Sequence, residues 1–333
     1  MAKMEDVARE ANVSLTTVSH VLNATRKVNP ETAAAVKEAM RKVGYVPNTL
    51  ARALAGAASS TIGVAVSALT NHYFSESVRA IEAECARHGL MMFFADTHDD
   101  PQQELKVVQS LHQRQVDGIV LAPTRDPKSR TMEYLRVNKI ASVLIDRAMP
   151  FEFDQVGVEN KLSSMELVSH LIKKHGHRRI GLVSGAAGIS TTDERIAGYR
   201  AALKQAGLQL DRKLIRCGES SLEPARVATT HLLRLDDPPT AIMAANNLMT
   251  IGTMHALRDA HIDVPKKMAL VGFDDFDWAD YFSPRLTVMA QPLEELGARA
   301  VQLLIKRIKA PDEEPSVVRL AASLRIRNSC GCR

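Results

Sequence analysis

Four polar side chains stand at the ends of apolar stretches, where they could form one binding site. Asp146 follows SVLI, Asn246 follows AIMAA and Asp274 follows LVGF, while Arg195 lies behind VSGAAGISTTDE. Carboxylate, guanidinium and amide groups together donate and accept hydrogen bonds, as a ligand rich in hydroxyl groups requires. Each residue taken singly has a simpler explanation as a helix cap or a surface salt bridge, above all Asp146.

Three short motifs contain side chains that commonly bind metal ions. The CGC motif at 330–332 lacks evident partner ligands, so we expect free thiols in a reducing compartment. The HGH motif at 175–177 is expected to end a helix with Gly176 as its C-cap. The acidic stretch DTHDD at 96–100 is expected to precede a helix, whose dipole favours acids there. The sequence therefore predicts no bound metal and no cofactor.

Motifs for catalysis are missing from the sequence. It contains no G-x-G-x-x-G after the first apolar stretch, no G-x-x-x-x-G-K-[ST] and no G-x-S-x-G. We therefore expect no catalytic residues, and an enzyme of doubly wound fold ranks behind a binding protein.

Near the N-terminus, NVSLTTVSHVLN at 12–23 predicts a short helix that Ser14 caps. Its narrow apolar face has three members, Val18, Val21 and Leu22. Thr16 and His20 point the opposite way, with Leu15 at the start of the helix. Thr and His can hydrogen-bond to base edges, and Leu can contact a thymine methyl group. The alternative is a small helical module for protein contact, in which His20 is merely solvated.

The elements around this helix indicate a helix-turn-helix domain. MEDVAREA predicts a helix before it, and a third helix is expected from Pro30 to Val43, ending at Gly44. Two short helices joined by so brief a turn must cross steeply. The first 60 residues hold eight Lys and Arg against five Asp and Glu, so they carry +3 of the net charge of +5. A basic N-terminal domain suits a polyanionic partner.

The rest of the chain alternates between apolar runs and helical stretches. The runs are TIGVAV, MMFFAD, DGIVLAP, ASVLID, RIGLVSG, TAIMAAN, MALVGFD and LTVMAQ. Helices are expected between the runs, for example at 76–88, 101–114, 161–175, 193–206, 247–260 and 292–309. This order predicts an α/β core with parallel sheets covered on both faces. So many units favour two doubly wound lobes around a cleft, and ligands bind at the carboxyl ends of such strands.

The N-terminal residues closely resemble one known family. Asp6-Val7-Ala8, Val13-Ser14, Thr17-Val18-Ser19, Val21-Leu22-Asn23 and Gly44-Tyr45-x-Pro47-Asn48 stand at the spacing found in the LacI/GalR (lactose repressor) family of bacterial transcriptional regulators. The resemblance continues to the C-terminus. It implies an all-α helix-turn-helix domain at 1–47, a hinge helix and linker at 48–60, and an effector-binding and dimerisation core at 61–333. That core has periplasmic-binding-protein-like architecture, with the chain crossing between its two lobes.

The resemblance also implies which residues contact DNA. Base-reading positions are held by Leu15, Thr16 and His20, where many relatives have Arg in place of His20. NTLARALAG at 48–56 is too short to be helical alone in water, and it becomes helical in the minor groove, where Leu54 wedges into the central base step. The alternative is a plain linker with Leu54 packed on the core. The complete predicted set is Leu15, Thr16, Thr17, His20, Asn23, Arg26, Asn48 and Leu54.

In the core, the resemblance assigns a small-molecule effector to the cleft. Its predicted contacts are Tyr73, Phe74, Asp146, Thr191, Arg195, Asn246 and Asp274. Trp278, the single Trp of the sequence, could cover the cleft or belong to the core. The sequence departs from the family pattern beside one of these contacts, because many relatives have Asn-Asp where this chain has Asn246-Asn247.

The sequence thus predicts a ligand-responsive repressor that binds a palindromic operator as a homodimer and is released by a monosaccharide, polyol or sugar acid. Without an apolar N-terminal segment or a membrane-spanning run, we expect a cytoplasmic protein with no membrane partner. The tail RIRNSCGCR carries no heptads, so a tetramerising helix is not expected. One alternative is a corepressor-dependent purine repressor, since such a relative has the same T-V-S-H run. Ile189 and Ser220, however, replace the Arg and Phe that hold its base. The other alternative is a sugar-binding module without regulatory output.

Overall fold

The computed structural model describes residues 2–23, 26–46, 59–67, 71–150 and 152–332. The chain divides into two compact units, Met1–Thr61 and Ile62–Arg333. Asn48, Leu54 and the side chain of Asn23 lie outside the described residues, so their predicted roles, and the hinge boundary at 48–60, stay predictions.

The first unit contains three short helices around a small apolar core. They are α1 (Met4–Glu10), α2 (Leu15–Asn23) and α3 (Pro30–Val43). Asn29 caps α3 by accepting a hydrogen bond from the Glu31 amide, and α3 ends at Gly44, whose φ of 67° suits a residue without Cβ. The core is made of five side chains, Val7, Ala8, Val18, Val36 and Ala39. The predicted helix-turn-helix arrangement is confirmed.

The second unit contains two six-stranded sheets. Strands of the N-terminal lobe are β1 (Thr61–Val66), β2 (Met91–Asp96), β3 (Gly118–Leu121), β4 (Ser142–Ile145), β5 (Asp154–Val158) and β11 (Val317–Leu320). Strands of the C-terminal lobe are β6 (Ile180–Ser184), β7 (Ile215–Cys217), β8 (Ala241–Ala244), β9 (Ala269–Phe273), β10 (Thr287–Ala290) and β12 (Ser323–Arg325). The strand order is β11-β5-β4-β3-β1-β2 in the N-terminal lobe and β12-β10-β9-β8-β6-β7 in the C-terminal lobe.

Both sheets are parallel in nearly all of their pairings. β1 pairs with β3 from Ile62 opposite Gly118, and β8 pairs with β9 from Ala241 opposite Ala269. Only β12 joins its neighbour β10 antiparallel among the described strand pairs. The inner strands are buried along nearly their whole length, as expected for parallel sheets with helices on both faces.

Helices cover both faces of each sheet. The N-terminal lobe has α4 (His72–Arg87), α5 (Pro101–Gln113), α6 (Arg130–Val137) and α11 (Leu293–Lys309). The C-terminal lobe has α7 (Asn160–His175), α8 (Ser190–Gln205), α9 (Leu222–Leu233) and α10 (Asn247–Asp259). The chain passes between the lobes three times, after β5, after β10 and after β11. The predicted two-lobed α/β core is confirmed.

All eight predicted strands are present, and the structure corrects the list in three ways. Four strands escaped prediction, β5, β7, β11 and β12, because they are short or interrupted by polar residues and Gly. Two further helices lie outside the ranges named from the sequence, α6 and α9, of which α6 is short and largely polar. Finally, two helices begin earlier than expected: α4 begins at His72 and not at 76, and α8 begins at Ser190 and not at 193, so Arg195 lies beyond the first turn of α8. Within the described part of the chain, no helix is long and apolar enough to cross a membrane.

Candidate functional site

A cavity of about 310 Å³ lies between the two lobes of the second unit. Its walls come from the carboxyl ends of β1, β4, β6, β8, β9 and β10, where ligands of doubly wound sheets bind. All seven predicted contacts line it: Tyr73, Phe74, Asp146, Thr191, Arg195, Asn246 and Asp274. The structure therefore brings together residues that are spread over some two hundred positions of the sequence, and their binding roles stay predictions.

Two of the carboxylates that line the cavity, Asp146 and Asp274, occupy equivalent positions in the two lobes. Asp146 directly follows β4 and Asp274 directly follows β9. Both have left-handed backbone conformations, with φ of 63° and 73°. Residues other than Gly adopt this conformation at a cost, and Asp tolerates it better than most. Strained backbone conformations of this kind are common at functional sites, where the surrounding structure stabilises them.

Asp146 is linked to the aromatic wall of the cavity. The Tyr73 hydroxyl donates a hydrogen bond of 2.9 Å to Asp146 Oδ1. Burial raises the pKa of Asp146, although the nearby guanidinium groups of Arg147 and Arg195 oppose the rise. Burial, together with the charges of Asp146 and Asp274, raises the pKa of Tyr73 well above its usual range. Tyr73 is therefore a neutral hydrogen-bond donor at any physiological pH.

Arg195 is buried on the C-terminal side of the cavity, where several groups fix its guanidinium. Its Nε donates to Asn160 Oδ1 at 2.8 Å, and its Nη1 donates to the Ala245 carbonyl. The guanidinium carbon lies 3.7 Å from the centre of the Phe273 ring, a cation–π contact. These contacts hold a positive charge in a fixed orientation within the cavity wall.

Asn246 lines the cavity, and its neighbour Asn247 has a different role. Asn246 Oδ1 accepts from the Met249 amide at 2.7 Å and so caps α10, which is the simpler function considered for this residue. Asn247 Nδ2 donates to Asn71 Oδ1 at 2.8 Å, a hydrogen bond that joins the two lobes. An Asp at 247, as in many relatives, could not donate this bond when ionised.

The aromatic side chains at the start of α4 form one wall. Tyr73 and Phe74 are each 5% exposed, and their rings meet edge to face at 5.0 Å. Trp278 is 44% exposed and does not belong to the core. Its ring lies 5.0 Å from that of His72 on α4, so this loop of the C-terminal lobe contacts the N-terminal lobe beside the cavity. Trp278 does not line the cavity itself.

Sequence reasoning missed several polar residues of the cavity. Arg147 donates to Asp99 at 3.2 Å and its Nε lies 3.8 Å from Asp146 Oδ2. Gln291, at the end of β10, donates to Asp274 Oδ1 at 2.6 Å. Both could have been found from the sequence, because each stands directly beside or behind an apolar run whose end was already under consideration.

The chemistry of the cavity is that of hydrogen bonding. No His or Cys occurs among the described residues that line it, so the cavity shows no imidazole base or thiol nucleophile. Carboxylates, guanidinium groups, amides and hydroxyls surround a space bounded on one side by aromatic rings. This combination suits a small ligand with several hydroxyl groups.

The first unit presents a second candidate surface on α2. Val18 is fully buried, whereas Leu15 is 44% exposed and Thr16 is exposed. The Thr17 amide donates to Ser14 Oγ at 3.1 Å, which confirms the predicted cap. His20 is half-buried, and Arg26 is exposed beyond the helix. The outer face of α2 therefore offers a short row of side chains to a partner.

The motifs considered for metal binding have different outcomes. Asp100 caps α5 by accepting from the Gln102 amide at 2.8 Å, so the acidic stretch does precede a helix. Gly176 ends α7 with a φ of 74°, as predicted. The expectation that the CGC motif lacks partner ligands is wrong, because His170 and His175 lie beside Cys330 and Cys332. The two His residues lie more than 150 positions before the two Cys residues in the sequence. Only the packing of α7 against the segment after β12 brings the four side chains together.

Comparisons with known proteins agree with both units. Residues 3–48 match the family model "Bacterial regulatory proteins, lacI family", and residues 168–330 match "Periplasmic binding protein-like domain". The ribose operon repressor of Escherichia coli (strain K12) is 34% identical over 332 residues, covering 99% of this chain and 100% of the relative. The HTH-type transcriptional repressor PurR of Vibrio atlanticus (strain LGP32) is 33% identical over 318 residues, covering 95% of each chain.

A solved structure extends the likeness to the whole fold. The lac repressor dimer bound to operator and the anti-inducer ONPF superimposes with a TM-score of 0.87 at 26% identity, covering 99% of each chain.

Proposed function

Because the chain belongs to the lacI family of bacterial regulatory proteins, we propose that it is a transcriptional repressor released from its operator by a sugar-like effector. It acts by binding and not by catalysis. A homodimer places two copies of α2 on the two halves of a symmetric site, and the effector binds between the lobes of each core.

The observation that carries this proposal is the single cavity lined by all seven predicted side chains. Tyr73, Phe74 and Asp146 belong to the N-terminal lobe, whereas Thr191, Arg195, Asn246 and Asp274 belong to the C-terminal lobe. A ligand that contacts both sets binds one arrangement of the lobes better than another. That difference in affinity is what an effector needs in order to shift a conformational equilibrium.

A carbohydrate fits the cavity better than a purine base does. The ribose and purine repressors are about equally identical to this chain, so identity does not decide between them. Ile189 and Ser220 line the cavity where, by the family resemblance, a purine repressor has an Arg and a Phe. A hydrogen bond from a charged donor contributes about 1.5–3 kcal/mol, and the stacking ring adds to it. A base would lose both contributions here.

On the DNA side, the outer face of α2 supplies the proposed base contacts. Leu15 and Thr16 are exposed, and His20 follows Thr16 by one helical turn. Thr17, Asn23 and Arg26 complete the proposed contacts of the helix-turn-helix, while Asn48 and Leu54 are proposed to act in the hinge. Operator specificity then rests on His20 where many relatives use Arg.

A ligand panel tests the effector class. Purified protein is heated with pentoses, hexoses, polyols, sugar acids, hypoxanthine and guanine, and positive compounds are titrated by calorimetry. We expect at least one carbohydrate to raise the Tm, since a ligand at 100 times its Kd stabilises the folded state by about 2.7 kcal/mol. Micromolar binding of hypoxanthine or guanine, with no response to any carbohydrate, would instead establish the corepressor alternative.

A further inference from the structure

Four side chains that commonly bind metals meet at the base of the C-terminal lobe. His170 and His175 lie on the last turns of α7, and Cys330 and Cys332 lie beyond β12. His170 Nε2 is 3.4 Å from Cys330 Sγ and 3.7 Å from Cys332 Sγ. His175 Nε2 is 3.3 Å from Cys332 Sγ. All four donor atoms lie within 4.8 Å of one another.

These distances match the edges of a zinc tetrahedron. With Zn–S near 2.3 Å and Zn–N near 2.05 Å, a tetrahedral site has N···S edges of about 3.6 Å. The three measured N···S distances, 3.3, 3.4 and 3.7 Å, lie around that value. Two thiolates and two imidazoles in tetrahedral arrangement are the set that favours Zn²⁺ among common metals.

The sequence CGC is suited to this arrangement. Gly331 has a φ of 104°, and a Cβ there would lie 3.2 Å from His175 Nδ1. A residue other than Gly would therefore be strained and would press on the His175 ring. The small residue lets the chain turn so that the sulfurs on either side reach the same pair of imidazoles.

The surroundings hold Cys330 in place and suit a thiolate. The preceding residue, Ser329, donates its hydroxyl to the Leu270 carbonyl at 2.7 Å and accepts from the Thr287 amide at 2.8 Å. Thr287 Oγ1 donates to Cys330 Sγ at 3.2 Å while accepting from the Arg327 amide at 2.9 Å. A hydroxyl donor to a ligating sulfur is a common partner in metal sites, where it orients the ligand.

We propose that His170, His175, Cys330 and Cys332 bind one Zn²⁺ ion in a closed tetrahedral site. With four protein ligands no position remains for a substrate, so the site is structural. It fastens the C-terminal segment to α7, at the amino ends of the strands and thus at the opposite end of the lobe from the cavity. Metal binding there stabilises the C-terminal lobe and leaves the effector cavity unchanged.

The test uses the full-length protein purified in a non-thiol reductant. After dialysis, we expect about one Zn²⁺ per chain by elemental analysis. Replacement by Co²⁺ should give the thiolate-to-cobalt charge-transfer band in the near ultraviolet and the intense visible bands of tetrahedral Co²⁺. A chelator should lower the Tm of the wild-type protein.

Two variants and two matched controls identify the ligands. Cys332→Ser and His170→Gln should weaken Zn²⁺ binding by at least about 100-fold, since even partners of ligands contribute 10–100-fold. Cys217→Ser, at an exposed thiol, and His177→Gln, whose ring bonds to Thr240, should bind as the wild type does. Cys332→Ser should also keep the carbohydrate response of the wild type, which separates this proposal from that of the effector.

Three results would overturn the proposal. The first is wild-type protein that retains no Zn²⁺ and gives no cobalt bands. The second is a Cys332→Ser variant with the metal content and cobalt spectrum of the wild type. The third is a disulfide between Cys330 and Cys332 in protein purified without reductant, with no metal bound at any stage.

Discussion

Replacing Arg195 by Ala should weaken the response to effector about 10- to 150-fold while leaving operator binding intact. Arg195 lines the cavity and supplies its fixed positive charge on the C-terminal side. Without it, a ligand hydroxyl or carboxylate loses a charged donor, which costs about 1.5–3 kcal/mol, or 10- to 150-fold in affinity. Helix α2, which we propose reads the bases, belongs to the other compact unit, so we expect its DNA contacts to be unaffected. The variant should therefore stay on its operator at the inducer concentrations that release the wild type.

The same substitution also has a cost in stability that the structure allows us to work out. Truncation leaves Asn160 Oδ1 and the Ala245 carbonyl without their donor, at about 1–3 kcal/mol for each buried acceptor. The cation–π contact with Phe273 adds about 0.5–2 kcal/mol. Water entering the space left by the side chain recovers part of the loss. We expect the free energy of unfolding to fall by about 2–4 kcal/mol and the Tm by about 4–8 °C.

Three quantities are measured for the variant: its affinity for the carbohydrate by calorimetry, its affinity for the operator, and its thermal unfolding. The two affinities are measured at a temperature well below the lowered Tm. Arg200→Ala is the matched control, because Arg200 is an exposed residue of the same helix. It should change the free energy of unfolding by no more than about 0.5 kcal/mol and leave the response intact. An Arg195→Ala variant with wild-type affinity for the carbohydrate would refute the assignment of Arg195, and wild-type stability would refute the contacts described for it.

Three further predictions concern the DNA contacts and the buried carboxylate. His20→Ala should broaden the base preference in a selected-site profile, whereas Arg26→Ala should weaken binding to all sequences alike. A His20→Ala profile equal to that of the wild type would show that His20 does not read bases. Leu54→Ala should lower operator affinity and DNA bending, with effector binding and dimerisation unchanged. Bending is measured by the mobility of permuted fragments, and equal bending by the variant and the wild type would contradict the proposed insertion of Leu54 between base pairs. Burial raises the pKa of Asp146 in the folded state, so its ionisation destabilises the fold as the pH rises through that pKa. The unfolding free energy of the wild type should therefore fall relative to Asp146→Asn over that pH range, and a difference that does not vary with pH would be inconsistent with the raised pKa.

Most of the fold follows from the sequence because its elements have strong local signals. The runs TIGVAV and MALVGFD are long, apolar and bounded by polar residues, so β1 and β9 were predicted nearly to the residue. By contrast, β5 (DQVGV) contains Asp, Gln and Gly in a fully buried strand. It pairs with β4 and β11 on either side, and β11 lies more than 150 positions further along the chain. No local pattern carries that information.

The residues that line the cavity could be predicted in part, because some of them directly follow strands with strong local signals. Asp146 and Asp274 follow apolar strands, and the topology of parallel sheets places such residues at one edge. Arg147 follows the run ASVLID and Gln291 ends the run LTVMAQ, so the same argument would have found them had it been applied to every residue at these strand ends. The cluster of His170, His175, Cys330 and Cys332 shows the limit of spacing arguments. Its two halves are more than 150 residues apart, and only the path of the chain after β12 brings the sulfurs to the end of α7.

The most direct test measures operator affinity with and without the effector. A labelled two-fold symmetric site, selected from random DNA with half-sites about 10 bp apart, is titrated with the protein and followed by fluorescence anisotropy. A saturating carbohydrate from the panel should weaken binding by about 5- to 150-fold, and the operator should weaken carbohydrate binding by the same factor. Unchanged affinity at saturating carbohydrate, or tighter binding in the presence of hypoxanthine or guanine, would contradict induction by a sugar-like effector.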